Sequence, residues 1–412
     1  MIRRTRVEVD LSAIIGNARA VRAAAGAQLY AVVKADGYGH GAIQVAWALA
    51  AARACDGFAV SLVEEGVALR EAGIALPVMV MGPSQVGGEE EIVASDLTPV
   101  VASEEDLGAL AHVVRRRGSP VDAHLKVDTG MNRLGVAVER AGELAAEAGR
   151  GGIRIVGLMT HLACADIDDP ADPDSMTRHQ LARFAEADRA VVAAGAPLRV
   201  RHASNSAGAL LFPEARFDLV RAGIAIYGQG SWLERGASAA RSDAEGRSGS
   251  IERGASAARS DAGGRSVSIA TGGPVRQPAM RLVTEVAQLR AIEVGASVGY
   301  GATWRAARPS RVAILPLGYA DGLPRRATGH AQVAIRGVRA PLVGLISMDI
   351  AIADVTDVPD IEVGDPVVVL GKASGGASIS AAEYGSWAGL SEYEVTCGMS
   401  KRVPRTYVGD VR

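Results

Sequence analysis

Lysine is scarce in this chain. Of 44 Lys and Arg residues, only Lys34, Lys126, Lys372 and Lys401 are lysines, so each one is seldom a generic solubilising residue. Cysteine is almost as rare. Cys55, Cys164 and Cys397 are far apart with no CxxC pair, which argues against a disulfide framework or a zinc site and for reduced thiols in a cytoplasm. Excess charge is also missing. Lys+Arg 44 against Asp+Glu 46 leaves net −2, so no basic field points to nucleic acid or to an anionic membrane. No run approaches the roughly 18 apolar residues that span a bilayer. The N-terminal stretch is basic, but Asn17 and Arg19 interrupt any apolar segment, so no signal peptide is expected. The expectation is a soluble, cytoplasmic protein with neither a nucleic-acid nor a membrane partner.

What is present is length and apolar residues: 412 residues, 48% of them hydrophobic, enough for two domains or a barrel with an accessory domain. Short apolar runs at 29–33, 57–60, 77–81, 98–101, 123–127, 153–160, 198–200 and 219–221 alternate with helix-like stretches. They mostly lack alternation, as parallel strands buried on both faces do. Ser61 with Glu64, and Ser103 with Asp106, have the spacing of helix capping boxes. Eight such units over roughly 200 residues predict an α/β fold, a (β/α)8 TIM barrel over 8–230, with a doubly wound open sheet as the alternative. From Met280 the runs 283–292, 311–317, 332–335 and 366–370, separated by Gly and Pro turns, predict a mostly antiparallel β domain over 279–412. Residues 1–7 are candidates to pair with it. Between them, at 231–278, ERGASAARSDAEGRS recurs as ERGASAARSDAGGRS 18 residues on. This segment is too poor in large apolar residues to fold alone. It reads as a tandem duplication tolerated in an interdomain loop, the alternative being a binding linker.

Chemistry concentrates in three places. In AVVKADGYGHGA, Lys34 stands at the C-terminal end of the first barrel strand, and such barrels carry their active sites at that end. Partial desolvation would lower its amine pKa and make it a Schiff-base former. The same stretch holds Gly37-x-Gly39-x-x-Ala42, a dinucleotide pattern, but Asp56 falls before the next strand instead of at its end, where a ribose contact belongs. Ser206 follows the seventh strand and Arg221-Ala-Gly-Ile224 the eighth, where barrels commonly bind a phosphate. Together they describe a phosphate-bearing aldehyde across the barrel mouth.

With these segments in view, the chain resembles the alanine racemase family of barrel-type pyridoxal phosphate enzymes. The matching motifs are AVVKADGYGHG, HLKVDTGMNRLG, GLMTHLACAD, ASNSAG, VRAGIAIYG, VGYGAT, LGYADGLPR, SMD and RVPR, in order along the chain. The resemblance implies that Lys34 carries pyridoxal 5'-phosphate and is one acid/base. It makes Tyr300 the other, contributed by the second chain of a homodimer, since inversion needs a proton removed on one face and returned on the other. It also implies that Tyr38, Asn205, Ser206, Gly223 and Ile224 hold the cofactor. His161 would lie against its ring and Arg221 on its ring nitrogen. Arg133 and Met348 would hold the carboxylate of a small amino acid, with Lys126 as a possible carbamylated lysine.

Two positions depart from the family pattern: Lys401 replaces a tyrosine found in many relatives, and Leu345 an arginine near the site's mouth. They bear on substrate breadth beyond alanine. The competing readings are a pyridoxal phosphate-dependent decarboxylase, a non-catalytic barrel binding the same cofactor, and an NAD-linked oxidoreductase.

Overall fold

The computed structural model describes residues 3–82, 88–230, 232 and 277–410; the repeat over 234–266 lies outside them. The first strand, β1 (Arg6–Asp10), precedes the barrel. The barrel strands are β2 (Gln28–Val32), β3 (Gly57–Val60), β4 (Val78–Val80), β5 (Thr98–Val101), β6 (Val121–Asp128), β8 (Ile153–Met159), β9 (Val200–His202) and β10 (Leu219–Ala222), with a short β7 (Val136–Ala137) beside β6. They run parallel in the order β10-β2-β3-β4-β5-β6-β8-β9. Two backbone bonds, Asp218 N–H to Arg201 O and Arg221 N–H to Ser204 O, each 3.1 Å, nearly close the circle. An eight-stranded barrel forms, not an open sheet.

The missing alternation in the sequence has its reason here. All residues of β3, β4 and β10 are buried, because helices cover the outside and side chains fill the inside. Val32, Ala59, Met79, Val100 and Met159 form the inner layer, while Phe58, Val60, Val78 and Val80 face the helices. Helix Glu104–Arg117 starts as expected: Ser103 Oγ accepts from Asp106 N–H at 3.1 Å and Asp106 accepts from Ala102 N–H at 2.9 Å. The box expected at Ser61 and Glu64 does not form. Helix Val63–Glu71 begins one residue later than that spacing requires, and Glu65 is the carboxylate that turns back, accepting from Ser61 and Leu62 N–H at 2.9 and 3.0 Å. The strand expected at 198–200 is shifted to Val200–His202, and Arg221 lies within β10 instead of after it.

The C-terminal part is mostly antiparallel. One sheet runs in the order Val338–Pro341, Gln332–Ile335, Pro366–Lys372, Met280–Glu285, β1, Arg405–Val408; a second holds Gln288–Ile292, Ser310–Leu315 and Ala351–Asp354. The single run expected over 283–292 is therefore two strands in two sheets, split at Val286, which is itself buried. β1 pairs antiparallel with Met280–Glu285, Val7 opposite Leu282 and Val9 opposite Met280, and parallel with Arg405–Val408. Asn17 in helix Leu11–Ala25 donates to Gln277 O at 2.9 Å and accepts from Gln277 N–H at 3.1 Å, anchoring the chain where it re-enters the described residues. Among the described residues no helix is long and apolar enough to cross a membrane.

Val7 and Val9 are both fully buried where the N-terminal strand meets the C-terminal sheet. Each Val→Ala change there removes about two methylenes, ~1.5 kcal/mol. The double variant should lower unfolding free energy by about 3 kcal/mol in urea titration; a midpoint within error of wild type would contradict this packing.

Candidate functional site

A cavity of about 660 Å³ opens at the C-terminal end of the barrel strands. Lys34 reaches it from the turn after β2, Lys126 from inside β6, and Arg133 from the loop behind β6. That loop is shaped by Asp128, whose Oδ1 accepts from Gly130 and Asn132 N–H at 2.9 and 3.1 Å. His161 comes from the end of β8, Asn205 and Ser206 from the loop after β9, and Arg221, Gly223 and Ile224 from β10 and its exit. Tyr38 completes the set from the end of the Lys34 turn.

The Lys34 turn is unusual backbone. Ala35, Asp36, Gly37, Tyr38 and Gly39 have φ of 52°, 53°, 62°, 52° and 81°, a left-handed coil costing about 1–2 kcal/mol for each residue that carries a Cβ. Glycine is needed at position 39 for a second reason: a Cβ there would lie 2.0 Å from Thr396 O. The glycines of the former dinucleotide pattern thus serve this turn. Asp56 is occupied by Leu29 N–H at 2.8 Å and by Arg22 at 2.5 Å, below the strand and away from any ribose position.

Arg221 is buried under the cavity. Its Nη1 faces His202 Nδ1 at 2.5 Å, and its Nη2 donates to Thr160 O at 2.8 Å and Ala203 O at 3.1 Å, with His161 Nδ1 at 3.4 Å. A guanidinium only donates, so His202 Nδ1 accepts and its Nε2 carries the proton. That Nε2 then donates to His124 Nδ1 at 2.8 Å, fixing both tautomers. Gly157 makes room for the His124 ring, since a Cβ there would sit 2.5 Å from it. The Nε of Arg221 is buried with no hydrogen-bond partner. Burial pushes Arg221 down to about 9, which leaves it charged at neutral pH.

Ser206 Oγ accepts from Gly223 N–H at 3.0 Å and Ala225 N–H at 3.3 Å, and Gly223 brings the Tyr38 hydroxyl in close: a Cβ there would meet it at 2.4 Å. Asn205 is a helix cap, its Oδ1 accepting from Gly208 N–H at 2.9 Å. Among the described residues the cavity wall carries four cations, Lys34, Lys126, Arg133 and Arg221, and one acidic side chain, Asp166. Burial and these charges act together on the amines. Burial, then Arg133, lowers Lys34, with Glu65 opposing. Burial, then Arg221 and Arg133, pushes Lys126 down to about 8. Burial, with Arg221 and Lys126 beside it, holds His161 well below the usual imidazole range.

Tyr300 and Met348 are not part of this wall. Tyr300 stands in a short turn, Tyr300–Ala302, 72% exposed, and Met348 is 51% exposed. Leu345 lies close to the Tyr300 turn. Lys401 is exposed and does not line the cavity. A tyrosine that joins Tyr38 in the wall is Tyr393, in helix Glu392–Cys397, its ring 6.4 Å from that of Tyr38. Cys397 from the same helix lines the cavity too. Neither was singled out in the sequence.

Family models described as "Alanine racemase, N-terminal domain" and "Alanine racemase, C-terminal domain" match residues 9–230 and 279–407. The chain belongs to the alanine racemase family. An alanine racemase of Sorangium cellulosum is 41% identical, over 98% of this chain and 99% of the relative, and one of Symbiobacterium thermophilum is 40% identical, over 99% and 98%. Among solved structures, alanine racemase from a D-cycloserine-producing Streptomyces lavendulae superimposes with a TM-score of 0.82 at 31% identity, covering 100% of this chain and 98% of that one. Alanine racemase from Bacillus anthracis with bound L-Ala-P gives 0.81 at 28%, covering 100% and 97%. The family's two parts thus map onto the barrel with its cavity and onto the β-rich part that carries Tyr300 and Met348.

The charge around Lys126 has a measurable consequence. Competitive acetylation read by mass spectrometry should give this amine a midpoint near 8 instead of the ordinary 10.5. Arg133→Met removes a neighbouring cation and should move the midpoint upward. An unshifted midpoint in the wild type would show that the cavity does not depress it.

Proposed function

We propose that this chain interconverts L- and D-alanine, with pyridoxal 5'-phosphate held on Lys34 and protons moved by Lys34 and Tyr300. The observation that carries the reading is the meeting, in one cation-lined cavity of an alanine racemase fold, of a lysine with lowered pKa and a buried arginine with an unpartnered Nε–H. The residues suit the cofactor. Arg221 Nε has a donor free for a pyridine nitrogen. Tyr38, Ser206, Gly223 and Ile224 line one cavity, and they would hold a phosphate once the Gly223 amide is released from Ser206 Oγ. When bound, the cofactor supplies an electron-withdrawing group that acidifies the amino acid's α-carbon. Every other step belongs to the chain.

Arg221 keeps its own protons, as guanidinium does, so it would hold the cofactor's ring nitrogen without protonating it and would temper the electron withdrawal the group supplies. His161, beside Arg221 in the cavity wall, would flank the ring. Arg133 would orient the substrate carboxylate from within the cavity, and the exposed Met348 amide would join it from a second chain. Lys126, an amine neutral over part of the physiological range among cations, is suited to take up carbon dioxide as a carbamate, an anion that would steady Arg133. Lys34 would take or return a proton on one face of the α-carbon. The other face needs a base on separate support. A decarboxylase does not need that second base, which favours the racemase reading.

Tyr300 is the group for that face, and its exposure in one chain supports delivery from a second. With Met348, Tyr319 and Ile350 it belongs to the exposed large apolar side chains of the C-terminal part, as a two-fold homodimer face would supply them. Lys34→Ala and Tyr300→Phe should each lose roughly 10²–10⁴ in turnover. Reassociated together, about half the dimers are mixed, each with one intact site of two, so about a quarter of wild-type activity should return. Tagged-chain pull-down establishes that subunits exchange. Complete exchange with activity still at the single-variant floor would refute a site shared between chains.

A further inference from the structure

The left-handed turn that Lys34 opens is held from outside. Within the barrel, Glu65 accepts from Ala35 N–H at 2.6 Å and Asp36 from Ala42 N–H at 2.9 Å. His40 Nδ1 faces the Gly37 and Tyr38 carbonyls, each at 3.0 Å, and its ring stacks on Tyr227 at 4.4 Å. The remaining hold comes from the far end of the chain. Arg405, first residue of the last strand, donates from Nε to Gly39 O at 3.2 Å. The same guanidinium donates to Ser400 O at 2.6 Å, Val403 O at 2.9 Å and Met399 O at 2.7 Å. Its backbone is fixed opposite Val7 in the C-terminal sheet. Directly behind Gly39 sits the Thr396 carbonyl, so the turn cannot retreat.

We propose that Arg405 is a positioning residue: it clamps the Lys34 turn to the C-terminal sheet through Gly39 O and thereby fixes where the Lys34 amine and the Tyr38 hydroxyl enter the cavity. A strained turn with three Cβ-bearing left-handed residues relaxes unless its neighbours over-determine it. Arg405 can do this because a planar fork spans several carbonyls at once; a lysine ammonium at the same position is a single point and cannot reach both groups of acceptors. The position matters to the reaction because a small displacement of a reacting group costs far more rate than binding. For its effect on turnover the proposal rests on Lys34 being the cofactor-bearing residue; for the turn's structure it does not.

The test is amide hydrogen exchange on the full chain without added cofactor, comparing wild type with Arg405→Met and Arg405→Lys. The reporters are Gly37, Gly39 and Gly41, whose N–H groups bond Val33 O at 2.8 Å, Ala35 O at 3.0 Å and Asp36 O at 2.8 Å. Arg405→Met should speed their exchange by about tenfold or more while β2 and β3 keep their protection, with Arg405→Lys intermediate. In loaded enzyme, kcat should fall more than KM changes, and methylguanidinium should restore part of the protection in Arg405→Ala. Unchanged exchange at the three glycines in a folded variant overturns the proposal, as does an equal rise throughout the barrel strands. If Arg405→Met does not fold, Arg405→Lys decides, since it keeps the charge and one bond. A lysine variant that also fails to fold makes Arg405 a requirement of the fold and overturns the positioning role. Exchange that rises as expected while turnover is untouched overturns the positioning role, and the turnover of Lys34→Ala reports separately on Lys34 itself.

Discussion

Four positive side chains around one largely buried cavity are the constraint on which the site's other properties depend. Arg221 is the anchor of that group. Among the described residues its bonded partners are neutral imidazoles and backbone carbonyls, which occupy its Nη donors without cancelling its charge and leave Nε without a partner. A buried charge left in this way costs several kcal/mol, and the cost is relieved in two ways. Neighbouring groups give up protons more readily, as Lys126 and His161 do, lowered first by burial and next by Arg221, and anions are drawn in. Lys126 also makes the sign of the pH effect explicit. Its folded value of about 8 lies below the ordinary 10.5, so the unfolded chain binds more protons between those limits. Stability therefore rises with pH across that window, and the penalty is fully present below about 8. A phosphate and a carboxylate bound beside these groups remove the penalty at neutral pH, which ties ligand binding to stability.

The same cavity depends on both parts of the chain. The barrel supplies the strand ends, yet Tyr393 and Cys397 reach the wall from the C-terminal segment. The sheet beneath that segment is completed by β1 from the extreme N-terminus. Both ends of the chain are thus built into one sheet, and the barrel lies between them in sequence. The strained turn at Lys34 sits where the two parts touch, so its unfavourable backbone is compensated by packing and bonds from each side.

The barrel was legible because strands buried on both faces leave unbroken apolar runs, and helices between them announce themselves by caps such as Ser103. Lys34 stood out because lysine is rare in this chain and because a strand end in a barrel is where chemistry is placed. Less was legible where the cause is tertiary. Arg221 closes the apolar run 219–221 as a charge inside a buried strand; two carbonyls and a histidine tolerate it there, and no local pattern encodes those partners. Non-glycine left-handed residues such as Ala35 and Tyr38 carry no propensity signal, since their neighbours impose the conformation. Tyr393 lies in a short helix remote from every barrel strand, and only the fold brings it to the cavity. The splitting of 283–292 between two sheets followed from a turn at Val286 and Ala287, a pair with none of the Gly, Pro or Asn that usually mark one.

On the proposed mechanism two bases on opposite faces, Lys34 and Tyr300, invert the α-carbon. Alanine incubated in heavy water with cofactor-loaded protein tests it most directly, with deuterium at the α-carbon and chirality followed together for each enantiomer. Wild type should incorporate deuterium and invert from both. Tyr300→Phe should still exchange the α-proton of one enantiomer while inversion is almost lost. Inversion at the wild-type rate in that variant would contradict the account.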